Sequence, residues 1–127
     1  MPQGSTTFHE SEERLRPETR DMHRAIVSLM EELEAVDWYQ QRMDATDDEE
    51  LRAILRHNRD EEQEHAAMVL EWIRRRSPSF SGHLKEFLFT DGPITGREQA
   101  LEAKAGGNGA AARPSVGTGV GSLRGGR

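Results

Sequence analysis

The residues best suited to chemistry lie in the stretch 60–65, where Glu62 and His65 are three positions apart. Side chains with this spacing stand on one face of an α-helix. At about 100° per residue, that face also carries an apolar stripe, formed by Leu51, Leu55, Ala66, Val69 and Ile73. A buried carboxylate without a partner costs several kcal/mol. The pattern therefore predicts that a cation, and a metal ion above all, neutralises Glu62 beside His65.

A second carboxylate lies on an apolar face earlier in the chain, at Glu32. Its helical neighbours on that face are Ala25, Leu29, Val36, Tyr39 and Met43. The adjacent Glu31 and Glu34 point elsewhere. Bundles of the ferritin-like carboxylate class use one Glu from each of two helices and a Glu-x-x-His motif from each of two others. This chain supplies one Glu and one Glu-x-x-His, which is half of such a site.

Composition limits both the class of protein and the kind of metal site. The chain has 127 residues, 34% of them hydrophobic, and no cysteine, so disulfides and thiolate ligands are excluded. Oxygen and imidazole ligands suit iron, manganese or zinc, and carboxylates alone suit calcium or magnesium. The net charge of -6 argues against nucleic acid as a partner. No apolar run is long enough to span a membrane and no signal-peptide core follows Met1, so we expect a cytoplasmic protein.

The apolar spacing predicts an all-α fold organised around two long helices. The first runs from Pro17 to about Met43, and the second from about Asp47 to Arg76. Thr46 and Glu49 resemble a capping box at the start of the second helix. The short connection predicts an antiparallel hairpin. A short third helix fits within 79–90, where Pro78 and Gly92 bound an amphipathic stretch.

Three regions follow from this pattern. Residues 1–16 are polar and predict a disordered arm. Residues 17–96 form the two-helix domain with its short third helix. Residues 97–127 are rich in glycine and alanine and predict a flexible linker and tail.

A single hairpin of this size has too little core to act alone. Small folds of this kind need a metal or an oligomer for stability. A second copy would complete a four-helix bundle and would also turn half a carboxylate site into a whole one. We therefore expect a homodimer with the metal site on its two-fold axis.

Several stretches resemble the encapsulated ferritins, which are ferritin-like proteins stored inside encapsulin nanocompartments. They are Met30–Glu34 followed by Ala35–Tyr39, His57–Glu62 leading into Glu64 and His65, and Phe89–Thr95. The resemblance covers roughly Met22 to Thr95. The end of the chain, Gly119–Arg124, is similar to the short peptide by which cargo docks on the encapsulin wall.

The resemblance implies a ferroxidase that oxidises Fe(II) to Fe(III) with a di-iron site shared between two subunits. It implies Glu32, Glu62 and His65 as catalytic iron ligands, and dimers that assemble into a ring-shaped decamer. The other implied sites are an acidic iron entrance at Glu31 and Glu34 beside Trp38, Tyr39 near the iron, and a weak surface metal site at His57, Glu61 and Glu64. The docking residues implied are Val120, Gly121, Ser122, Leu123 and Arg124. Calcium or zinc could replace iron, and the encapsulin shell is the implied partner and location.

Other interpretations of the same residues remain open. The hairpin could be a non-catalytic metal-binding or adaptor module whose metal only staples the oligomer. A peroxide-reducing di-iron protein of the rubrerythrin kind is a third reading, although the chain lacks the cysteines of a rubredoxin site. On pattern alone Glu31 and Glu34 are a solvated face, and Trp38 and Tyr39 are interface aromatics. His57, Glu61 and Glu64 also fit ordinary surface residues, and the tail fits a low-complexity end.

Overall fold

The structure, a computed structural model, describes the backbone of residues 6–112 and the side chains of residues 6–104. After a 3₁₀ turn at Glu12–Arg14 come four helices: α1 (Pro17–Ala45), α2 (Glu49–Arg76), α3 (Pro78–Phe87) and α4 (Ile94–Ala112). The chain divides after Ile73 into two compact units. Helices α1 and most of α2 belong to the first unit, which holds all of the candidate chemistry on described residues.

Helices α1 and α2 pack against each other as an antiparallel hairpin. Their contacts pair late residues of one helix with early residues of the other, as the guanidinium of Arg59 donates to Gln40 Oε1 at 2.6 Å. Closer to the connection, Arg52 Nε donates to the carbonyl of Met43 at 3.0 Å. This confirms the prediction of an all-α fold built on two long helices.

The connection between α1 and α2 is closed by side chains that satisfy backbone groups. Asp48 Oδ1 accepts from the amide of Leu51 at 3.0 Å, which is the N-cap interaction of α2. Arg52 also donates to the carbonyl of Thr46 and so covers the end of α1. The predicted capping box at Thr46 and Glu49 is wrong, because Asp48 takes the capping position and α2 begins at Glu49.

Residues 6–16, the described part of the predicted disordered arm, are ordered in the structure. The 3₁₀ turn lies there, and Arg20 donates to the carbonyls of Glu12 and Leu15 at 3.0 Å and 3.1 Å. The ring of Phe8 lies 4.6 Å from the ring of His23, centroid to centroid. These contacts hold the segment against the first turns of α1, because α1 offers it both donors and an aromatic surface.

The second unit contains α3, α4 and the loop between them. Ser77 caps α3 by accepting from the amide of Phe80 at 3.2 Å, and Pro78 occupies the first turn. Arg97 Nε donates to the carbonyl of Glu86 at 3.0 Å and ties α4 to α3. Helix α4 covers 94–112, so the part of the predicted flexible linker that the structure describes is helical. The remaining boundaries of the three predicted regions stay predictions.

The hairpin buries few apolar side chains and leaves large ones open to solvent. In the first unit Met43, Leu55, Ala66 and Ile73 are buried. Three large apolar residues of this unit are more than half exposed, Leu33 at 56%, Ile54 at 53% and Met68 at 63%. Leu51 was expected on the buried stripe but is exposed, because one hairpin covers only the side of α2 that faces α1. Within residues 6–112, no helix combines the length and apolarity needed to cross a membrane.

Candidate metal centre

Three metal-ligating side chains meet where the middle of α1 faces the middle of α2. Glu32 comes from α1, and Glu62 and His65 come from consecutive turns of α2. One ligand atom from each lies within 4.8 Å of the others. In the described part of the chain this is the one group of three or more such residues close enough to share an ion. We call these three residues the inner trio.

The inner trio is held together by hydrogen bonds between its members. His65 Nδ1 lies 3.2 Å from Glu62 Oε1 and donates to it when that nitrogen carries the proton. The carboxyl groups of Glu32 and Glu62 are also close enough for a hydrogen bond that shifts the pKa of both groups. All three side chains are half-buried, so they are partly shielded but can still be reached from solvent.

The carboxyl groups of Glu32 and Glu62 shift each other's pKa in opposite directions. The hydrogen bond to Glu62, together with burial and the Glu62 charge, raises the pKa of Glu32. The same bond lowers the pKa of Glu62, with help from His65. The hydrogen bond to Glu62 raises the pKa of His65, and the charges of Glu62, Glu32 and Glu61 add to this. Glu62 is thus the carboxylate that both neighbours stabilise.

The donor set of the inner trio fits a transition-metal ion. Two carboxylates and one imidazole suit iron, manganese or zinc, and the imidazole disfavours calcium and magnesium. Three protein ligands leave coordination positions open for a second metal, water or an oxidant. A di-metal carboxylate centre normally draws on four helices. One chain therefore offers half of the ligands such a centre uses.

The acidic neighbours on α1 lie beside the inner trio but outside it. Glu31 is exposed and Glu34 is half-buried. Trp38 is exposed and Tyr39 is half-buried, four and five residues after Glu34 on the same helix. The guanidinium carbon of Arg42 lies 6.0 Å from the Trp38 ring centre and 5.5 Å from that of Tyr39. Sequence reasoning missed Arg42, although its spacing of three and four residues from the two rings predicted the contact.

The proposed surface set on α2 is only partly gathered. His57 Nε2 lies 4.0 Å from Glu61 Oε2, while Glu64 is exposed and does not join them in a three-residue cluster among residues 6–104. Glu61 approaches His65 instead, with 3.9 Å between Oε1 and Nε2. The i, i+4 spacing of Glu61 and His65 was a visible signal for this contact. The docking residues Val120–Arg124 lie outside the described residues.

This chain is similar to members of a known protein family. A family model described as EncFtn-like matches residues 7–91, which include both hairpin helices. An encapsulated ferritin-like protein of Rhodospirillum rubrum is 58% identical over 97% of this chain and 88% of its own. An encapsulin nanocompartment cargo protein, EncC of Myxococcus xanthus, is 38% identical over 98% of this chain and 99% of its own.

A crystal structure supports the fold as well. A protein from Nitrosomonas europaea is 64% identical and superposes with a TM-score of 0.67, covering 68% of this chain and 96% of that one. The family match spans both long helices and every residue of the inner trio. We conclude that this chain belongs to the EncFtn-like family.

Proposed function

We propose that the chain is a ferroxidase, which oxidises Fe(II) to Fe(III) at a di-iron site shared between two copies. The observation that carries the proposal is the inner trio, in which two facing helices bring Glu32, Glu62 and His65 within 4.8 Å of one another. Membership of the EncFtn-like family supports iron as the metal. Iron is the substrate here, and dioxygen is the electron acceptor.

Each residue of the inner trio would have a distinct role. Glu62, whose pKa is lowered by its hydrogen bonds to Glu32 and His65, offers the most available negative charge. Glu32, whose pKa is raised, binds iron in its deprotonated form as a second carboxylate ligand. His65 supplies a neutral nitrogen and fixes the geometry. Carboxylates can also change between terminal and bridging binding, which suits an ion whose charge rises on oxidation.

A second copy would complete the site. Two inner trios supply four carboxylates and two imidazoles, the ligand set of a di-iron carboxylate centre. The exposed Leu33 and Ile54 give the hairpin an apolar surface for such pairing. We propose a dimer as the building block and a ring-shaped decamer as the assembled form.

The remaining acidic and aromatic residues would serve the route and the surroundings of iron. We propose Glu31 and Glu34, beside Trp38, as the acidic iron entrance, since carboxylates raise the local cation concentration. Tyr39 lies two helical turns after Glu32 on the same helix face, and we propose that it lies near the iron. We keep His57, Glu61 and Glu64 as a weak surface metal site, where calcium or zinc could also bind.

We propose that the protein works as cargo inside an encapsulin compartment and delivers oxidised iron for storage there. The support is the name of the Myxococcus xanthus relative, an encapsulin nanocompartment cargo protein, together with the docking-like residues Val120–Arg124. Removing residues 116–127 should abolish loading into a co-expressed encapsulin shell and leave iron oxidation intact. Loading of the truncated protein would show that the address lies elsewhere.

The ferroxidase proposal is tested by separate Glu32→Ala, Glu62→Ala and His65→Ala variants. Fe(II) oxidation, followed by near-ultraviolet absorbance and oxygen uptake, should slow at least about tenfold in each, since losing even a supporting group at a metal site costs this much. Glu50→Ala is the matched control, because Glu50 is an exposed carboxylate on α2 that lies outside the inner trio. Wild-type rates in all three variants would remove the ferroxidase claim.

In the alternative function the chain is a non-catalytic metal-binding module, and its metal ion only holds the oligomer together. The exposed apolar surface of the hairpin favours association and therefore supports this reading too. Sedimentation with and without Fe(II), combined with oxygen uptake, separates the two functions. Metal-linked assembly without faster oxygen uptake would favour the staple.

A further inference from the structure

A line of alternating imidazoles and carboxylates runs along α2 toward the inner trio. His57, Glu61 and His65 follow one another at intervals of four residues, which is one helix face. Glu61 lies between the two histidines, with Oε2 4.0 Å from His57 Nε2 and Oε1 3.9 Å from His65 Nε2. His65 continues the line through Nδ1, which lies 3.2 Å from Glu62 Oε1.

This line leads from solvent to the half-buried centre. The exposed fraction of the side chain falls at each step, from 72% at His57 and 50% at Glu61 to 44% at His65 and 24% at Glu62. Carboxylate and imidazole alternate throughout, so each step offers both of the donor types that transition metals prefer. The line is confined to α2, whereas the acidic entrance at Glu31 and Glu34 lies on α1.

The two gaps beside Glu61 are close to the width of a metal bridge. At 3.9 Å and 4.0 Å they are too long for hydrogen bonds. A cation held at about 2.1 Å from both a nitrogen and an oxygen at a tetrahedral angle separates those atoms by about 3.4 Å, so a small rotation of the Glu61 side chain closes either gap to that width. His65 presents one ring nitrogen to Glu61 and the other to Glu62. The imidazole therefore has a ligand atom on each side of the step into the inner trio.

We propose that Glu61 is a relay ligand: it receives a divalent transition-metal ion beside His57 and passes it, through His65, into the inner trio. Rotation about the Glu61 side-chain bonds moves the carboxylate between the two histidines without any change in the helix. The proposal rests on the proposed function, because it requires the inner trio to be the destination. It gives the surface residues a role in delivery and adds a second route to the one on α1.

A relay residue has a kinetic signature that a ligand of the final site lacks. A residue that contacts the metal ion only on its way to the inner trio lowers the free-energy barrier for both binding and release. Its loss therefore slows binding and release by the same factor and leaves the dissociation constant unchanged. Loss of a final ligand speeds release and weakens equilibrium binding. Loss of a nearby charge alone slows binding through weaker attraction, and that effect disappears at high salt.

The test uses the full chain and Co²⁺, which reports its ligands through visible absorbance and does not react with oxygen at these ligands. Stopped-flow mixing gives the binding rate, chelator competition gives the release rate, and light scattering in the same mixing shows whether the oligomer changes. Glu61→Gln should slow binding and release severalfold and equally. His57→Gln should act in the same direction. Asp60→Asn is the matched control, because it removes one charge next to Glu61 from a carboxylate that Arg59 already binds at 2.8 Å.

Two results would overturn the relay. If Glu61→Gln and Asp60→Asn bind and release Co²⁺ at the same rates at high salt, Glu61 contributes only its charge. If Glu61→Gln weakens equilibrium binding, Glu61 is a ligand of the final site. A different variant, His65→Ala, tests the proposed function. If His65→Ala bound Co²⁺ with wild-type affinity, the inner trio would not be the metal site, whatever Glu61→Gln does to the rates.

Discussion

At the scale of single residues, protons and a metal ion compete for the ligand atoms of the inner trio. The hydrogen bond to Glu62 raises the pKa of Glu32 above its ordinary 4.5 and the pKa of His65 above its ordinary 6.5. Both groups therefore hold protons at a pH where free side chains would have begun to lose them. A metal ion must displace these protons before it can use both ligands.

This competition predicts the sign of the pH dependence of binding. As pH falls through the raised pKa of His65 and then that of Glu32, protons occupy the ligands and Co²⁺ affinity should fall. Affinity should thus increase from about pH 5 to about pH 8, the range in which a histidine changes charge. Calorimetry in buffers of different ionisation enthalpy would count the protons released. An affinity that is flat across this range would show that protons do not compete with the metal ion for Glu32 and His65.

At the scale of the helices, the site depends on the register between α1 and α2. Glu32 meets Glu62 because the connection is short and both of its ends are fixed by side chains. Asp48 caps α2 through the amide of Leu51, and Arg52 covers the end of α1. Arg59 and Gln40 link the helices between the connection and the inner trio. The same register that packs the apolar residues therefore brings the two acidic residues together.

Loss of the Asp48 cap should weaken the hairpin measurably. Asp48→Ala leaves the Leu51 amide without its side-chain acceptor and should lower the free energy of unfolding by about 1 kcal/mol. The thermal midpoint should fall by roughly 4–8 °C at fixed protein concentration. Asp47→Ala is the control, because Asp47 is exposed and precedes the cap. Equal midpoints for the two variants would show that the cap does not hold α2.

At the scale of the whole molecule, the first unit has an apolar surface larger than one hairpin can cover. Residues at 43% to 63% exposure lie on both long helices of this unit. They are Ile26, Leu33, Trp38, Leu51, Ile54 and Met68. A folded chain gains free energy by removing exposed apolar side chains from water. A second copy covers it and supplies the missing ligands in one event, so we expect metal binding to strengthen pairing.

A charge placed on this surface should break the pairing. Ile54→Lys puts an ammonium group at the proposed interface, and burying it without a partner costs more than the 1.4 kcal/mol that corresponds to a tenfold change in affinity. The dissociation constant of the dimer should therefore rise by more than about tenfold in sedimentation velocity. Ala53→Lys is the control, because Ala53 is exposed and points to the far side of α2 from Glu62. A dimer of unchanged strength in Ile54→Lys would place the interface elsewhere.

The sequence by itself determined which residues share a helix face, because the helical period is a local property. Glu32, Glu62 and His65 share their helix faces with apolar residues, and that anomaly was enough to predict a metal site. Pro17 likewise marks the start of α1 through its own backbone geometry. Helix α4 was missed because Gly106, Gly107 and Gly109 suggested a linker, while the strong helix formers in 97–105 favour a helix.

Only the tertiary structure decided which faces meet and how closely. The clamp of Arg52 on Met43 and the contact of Arg59 with Gln40 set the register, and they join residues whose spacing carries no helical period. The opposite pKa shifts of Glu32 and Glu62 follow from that register. The placement of Glu61 between His57 and His65 depends on side-chain rotation, which a pattern of residue types does not specify. Distances across helices come from packing, and packing is a property of the folded chain.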